Sequence, residues 1–144
     1  MKYTCEMVVD RPRNSVVALF DNPDNMKLWQ PDLQSFEALS GTPGQQGATS
    51  KLVYKMGSRI IEMVETITER NLPDTFAGTY EAKGVNNTVR NSFRDEGAKT
   101  HWTLETDFQF SGFMKIIAFF MPGMFRKQTL KMMGQFKEFA EKAG

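Results

Sequence analysis

A chain with a single cysteine and a single histidine among 144 residues has little material for redox or metal chemistry. One Cys excludes an intramolecular disulfide, and one Cys with one His cannot supply a multi-ligand zinc site. No apolar run reaches the roughly 18 residues that span a bilayer, so stable membrane insertion is not expected. Charge of one sign is not in excess either, with 18 Lys and Arg against 17 Asp and Glu. That balance argues against an electrostatic grip on nucleic acid, which needs a strongly basic domain. Gly41, Gly44 and Gly47 fit neither the dinucleotide-binding spacing nor a Walker motif, and no Lys-Ser/Thr follows them. They read as a loop, and no cofactor is expected. Met1-Lys2-Tyr3-Thr4-Cys5-Glu6 leads into no apolar h-region and no cleavage site, so a cytoplasmic protein is expected.

What the chain does have is Phe and Met. The 12 Phe and 10 Met together exceed one residue in seven, and these side chains make soft, adaptable apolar walls. The length fits one domain, spanning 1–144, on a prior of roughly 100–200 residues per domain.

Period-two alternation over 3–10 predicts a half-buried strand, which Arg11-Pro12 breaks. A short helix over Ser15–Phe20 with an Asn14 cap follows, then a second from Asp24 to Trp29. Segments near 35–40, 48–56, 59–69, 75–83, 87–95 and 99–110 read as strands separated by short Gly, Pro and Asn turns. Such short links imply antiparallel hairpins. Asn86-Asn87-Thr88 reads as a turn-like polar stretch. From Gly112 the period becomes helical. Phe125, Thr129, Met132, Phe136, Phe139 and Ala143 form the apolar stripe of a long helix, and Pro122 should kink or restart it. The fold class is α+β: a curved antiparallel seven-stranded sheet wrapped around the long C-terminal helix. A cavity between the two is the expected site.

This order resembles the helix-grip fold of the START/Bet v 1-like (SRPBCC) superfamily, and more closely its bacterial polyketide cyclase/dehydrase-like members. The resemblance runs over the whole chain. It rests on Val9-Asp10-Arg11-Pro12-Arg13-Asn14-Ser15-Val16, Leu19-Phe20-Asp21-Asn22-Pro23, and Asn25 with Trp29-Gln30-Pro31. It continues through the Gly41–Gly47 link, Leu72-Pro73-Asp74, Gly112-Phe113 and Phe136-Lys137-Glu138-Phe139-Ala140-Glu141. The resemblance implies a fold and not a function, since the superfamily includes lipid carriers, hormone binders and cyclases.

Alternation turns Tyr3, Cys5, Met7 and Val9 inward, with Tyr54, Met56, Met63, Glu65, Tyr80, Asn91, Phe93 and Trp102 on later strands. Met121, Phe125 and Met132 face them from the helix. These last eleven, from Tyr54 to Met132, are the candidate ligand-binding residues. Glu65, between Met63 and Ile67, is the single candidate acid or base, because unpaired burial raises a carboxyl pKa. A partner such as Arg59 or Arg90 would remove that property. Cys5 and His101 fall on opposite faces and should not form a thiol–imidazole pair.

The first functional reading is a carrier or binding protein for a small, largely apolar molecule such as a lipid, isoprenoid or polyketide-like compound. The second is a cyclase/dehydratase-type enzyme using Glu65 with Tyr80 or Asn91. The third is an interaction module with a solid core. Residues 112–144 carry six Lys and Arg against two Glu. Membrane contact through that helix is weighed against its apolar face being taken by the sheet.

Overall fold

The computed structural model describes residues 1–143. Eight residues of alternating burial form β1 (Lys2–Val9), and the chain then turns into α1 (Arg13–Phe20). Pro12 occupies the N-cap and no side chain caps the helix, so the expected Asn14 cap is not used. Asn22 caps the next turn instead, its Oδ1 accepting from the Asp24 N–H at 3.0 Å. The second expected helix is split into a 3-10 turn over Pro23–Asn25 and one α-turn, α2 (Met26–Trp29).

Six strands follow: β2 (Leu33–Ser40), β3 (Thr49–Met56), β4 (Arg59–Asn71), β5 (Thr75–Ala82), β6 (Val85–Glu96) and β7 (Lys99–Phe110). All seven strands form one antiparallel sheet in the order β1-β7-β6-β5-β4-β3-β2. Register breaks in β2 and after Ile67 in β4 help it curl, since an extra residue on one strand bends it. The Asn86–Thr88 stretch, expected as a turn, lies inside β6; the turn is one step earlier, at Lys83-Gly84.

The terminal apolar segment forms α3 (Phe113–Phe120), and the helix restarts at Pro122 as α4 (Pro122–Lys142). Proline fits a first helical turn, where its missing N–H costs nothing. Three residues of α4 are buried: Met133, Phe136 and Ala140. This set is rotated from the expected stripe, with Met133 and Ala140 replacing Met132 and Ala143 at the deepest positions. Phe136 sits edge-on to Trp29, Phe20 and Trp102 at centroid distances of 5.1, 5.8 and 5.3 Å. The far end of α4 is tied to β1: Lys137 Nζ donates to the Val8 carbonyl at 2.7 Å. The Asp10 N–H donates to Glu141 Oε2 at 2.8 Å.

Other polar ties fix the helical insert. Arg70 grips both carboxylate oxygens of Asp21 at 2.7 and 2.6 Å and also donates to the Gly44 carbonyl at 2.8 Å. Arg13 reaches Asp74 Oδ1 at 2.8 Å, joining α1 to the Leu72-Pro73-Asp74 turn. Both ties hold α1 against the end of the sheet away from the β5–β6 turn.

Candidate functional site

Strand registers bring four polar residues of the concave face into one row. Ser50 on β3 is opposite Glu65 on β4, Glu65 is opposite Tyr80 on β5, and Tyr80 is opposite Asn87 on β6. Apolar rows border it on both sides. Leu52, Met63, Ala82, Val85 and Phe110 lie across one edge. Ile67, Gly78 and Val89 lie across the other. The same period-two alternation that hides the apolar residues therefore places one polar stripe among them.

Glu65 is 8% exposed and forms no ion pair among the described residues. The partners that would have neutralised it are elsewhere: Arg90 pairs with Glu69 at 3.2 Å, and Arg59 is exposed. Burial raises the Glu65 carboxyl above its usual range, and the Tyr80 hydroxyl, bonded to it, opposes part of that rise. Burial and the nearby carboxylate both hold the Tyr80 phenol protonated. Tyr54 is held protonated in the same way. Its hydroxyl donates to Gln30 Oε1 at 2.7 Å, so α2 is tied to β3 beside the row. The arrangement is one carboxyl whose pKa burial raises, beside two phenols whose own pKa values are raised as well. It can donate or accept hydrogen bonds, and the carboxyl can take up a proton in an apolar setting.

The other candidates separate into two groups. Asn91, Phe93 and Trp102 lie in the core. The Asn91 side chain accepts from Trp102 Nε1 at 2.9 Å and donates to the Phe76 carbonyl at 3.3 Å, so its amide is used up within the wall. Met56 and Met63 are half-buried on the concave face near Tyr54 and Glu65. Phe125 is half-buried against Phe108 and Phe110 at 5.2 and 4.9 Å, and Met132 packs on the edge of the core. Met121 is exposed at the junction of α3 and α4. As expected, Cys5 is buried and His101 lies on the other face, with His101 Nε2 3.0 Å from Glu6 Oε1.

Ser50, Asn87 and Gln30 belong beside the site and are not evident from the sequence. Extending the inward alternation of β6 by one step reaches Asn87, whose Oδ1 accepts from Thr106 at 2.6 Å. Gln30 has no such signal, because its partner is on a distant strand. Two open depressions of about 460 and 660 Å³ lie on the outer face of the sheet. Lys2, Arg90 and Glu105 line the first, and Lys51, Glu62 and Glu81 the second. These are solvated strand surfaces, and neither is the expected cavity between the sheet and α4.

A family model described as polyketide cyclase/dehydrase and lipid transport matches residues 1–137. The chain belongs to that family. Among curated proteins, none matches it significantly in sequence. Several solved structures share the fold of this chain. The Zhui aromatase/cyclase from Streptomyces sp. R1128 superposes with a TM-score of 0.83 at 13% identity, over 99% of this chain and 94% of that one. A conserved protein from Geobacillus kaustophilus gives 0.81 at 14%, over 99% and 97%. Norcoclaurine synthase from Thalictrum flavum, solved with dopamine and hydroxybenzaldehyde, gives 0.76 at 11%, over 100% and 88%. At these identities the likeness is one of fold, the helix-grip arrangement of the SRPBCC/Bet v 1-like group.

Proposed function

We propose that the protein binds a small, largely apolar molecule between the concave face of the sheet and α4, with a carbonyl or hydroxyl of the ligand set against Glu65 and Tyr80. The observation that carries this reading is a polar row between two largely apolar rows, centred on a buried carboxyl with no cationic partner among the described residues. Burial of apolar area at about 25 cal/mol per Å² would drive binding, and the row would orient the molecule. Trp29, beside Gln30, adds a buried indole N–H that has no acceptor among the described residues. Native mass spectrometry before and after organic extraction tests the reading. A co-purifying apolar species, or a thermal shift within a lipid and aromatic panel, is the expected result. The absence of both a bound species and a shift across that panel overturns it.

A second reading, a cyclase/dehydratase-type enzyme, is favoured by one observation: Glu65 has a raised pKa and lies against a protonated phenol. Glu65 would take a proton from the carbon next to a ligand carbonyl and return it to a leaving hydroxyl, while Tyr80 donates to the carbonyl oxygen. Deuterium uptake at that carbon of a polyketide-like substrate would report the step. Glu65→Gln should slow it by about 10²–10⁴-fold. Equal uptake in the folded variant removes Glu65 from the chemistry.

A further inference from the structure

The largest exposed apolar side chains of the molecule are gathered on α3. Phe113, Phe119 and Phe120 are 72%, 79% and 75% exposed, and Ile116 and Met121 beside them are more than half exposed. The sequence sets membrane contact against an apolar face covered by the sheet. That cover holds for the rear of α4 and not for α3, which has no fully buried residue. The segment is nevertheless firmly seated. The Ser111 N–H donates to the Gly84 carbonyl at 3.0 Å. Met114 packs so closely on Gly84 that a Cβ there would meet its Cγ at 2.8 Å. Gly84 also has φ +79°, so the turn that seats α3 needs glycine on both counts.

Charge says what kind of surface α3 fits. From Phe108 through Lys137 there is no Asp or Glu, while Lys115, Arg126 and Lys127 follow the exposed Phe residues closely. Antiparallel alternation brings the β3–β4 and β5–β6 turns to this same end of the sheet, with Arg59 and Lys83. None of these five cations is in an ion pair among the described residues. The acids near this end are Asp32, ahead of β2, and Glu62 and Glu81, which lie beside Lys83 on the outer face of the sheet. A second copy of the chain meeting this patch about a two-fold axis would set the cations against one another. An anionic bilayer surface meets both components, since its headgroups attract the basic residues and its acyl boundary receives the Phe side chains.

We propose that α3, with the cations around it, is a docking surface for the interface of an anionic membrane. The helix, about 12 Å long at 1.5 Å per residue, lies in the plane of the interface and does not cross it. This inference is independent of the ligand reading, and its test needs no ligand. The probe is flotation with vesicles of mixed phosphatidylcholine and phosphatidylglycerol, beside vesicles of phosphatidylcholine alone. The full chain is expected to float with the mixed vesicles, to release at high salt, and to stay free of the neutral ones. Phe119→Ser with Phe120→Ser should weaken binding about tenfold or more, with thermal stability unchanged because both side chains are already in solvent. Lys115→Glu with Arg126→Glu should do the same. Phe120→Trp, beside two Trp that are already buried, should give a blue-shifted emission with mixed vesicles. Absence of flotation, flotation indifferent to the double Phe substitution, or a dimer that the same substitution dissociates would each overturn the proposal.

Discussion

Trp102 and Asn91 are joined inside the core by a hydrogen bond of 2.9 Å from the indole N–H to the amide oxygen, between paired strands β7 and β6. Asn91→Leu would leave that N–H buried without a partner. It should cost about 1–3 kcal/mol, seen as a lower urea midpoint. Adding Trp102→Phe removes the orphaned donor, so the double variant should be more stable than the two single costs summed.

Glu65 gives a pH signature with a definite sign. Its folded pKa is above the unfolded value, so the native state holds a proton that the unfolded chain has released. Stability therefore falls as pH rises from the unfolded carboxyl value, about 4.3, through the folded one, and the loss is complete above both. Glu65→Gln has no charge to bury. It should be the more stable protein at neutral pH, and the difference should shrink toward acid pH, as urea unfolding at several pH values would show.

Tyr80→Phe removes the hydrogen bond that holds the Glu65 carboxyl down. The Glu65 titration midpoint should therefore move upward, which carboxyl carbon NMR measures directly. An unchanged midpoint would mean that the two groups do not communicate in solution.

Phe136 is the point at which α4 meets both tryptophans. Phe136→Ala opens a hole that rigid rings on the sheet and α2 cannot fill, at a cost of about 3–5 kcal/mol. The urea midpoint should fall accordingly, while β-sheet circular dichroism persists in the residual folded state.

Most strands are legible in the sequence because one face of each is in the core, so the residues alternate with the physics that buries them; β2, largely exposed, is the exception. Met63, Glu65 and Ile67 on β4 share the concave face for that reason. The helix phase is less legible: Met132 and Met133 are chemically alike, and only packing against Phe136's neighbours selects Met133. Asn91 is recognisable as inward, but its engagement with Trp102 is not, since that partner arrives through strand pairing. Gln30 follows a one-turn helix, and its bond to Tyr54 exists only once α2 is folded over β3. Direction along a strand is local information; the company a side chain keeps across strands is not.

The fastening of α4 has a kinetic consequence. Its rear half is held by Lys137 and Glu141 to the end of β1, and Met133, Phe136 and Ala140 are buried beneath it. The front half, from Pro122 to Gln128, has only Phe125 half-buried, with Arg126 lying over the Tyr3 ring. Amide hydrogens of the rear turns should therefore exchange with solvent only when the whole molecule unfolds. Those of the front turns should exchange by local fraying. One continuous helix would then report two separate opening energies, and the softer half is the one that borders the concave face.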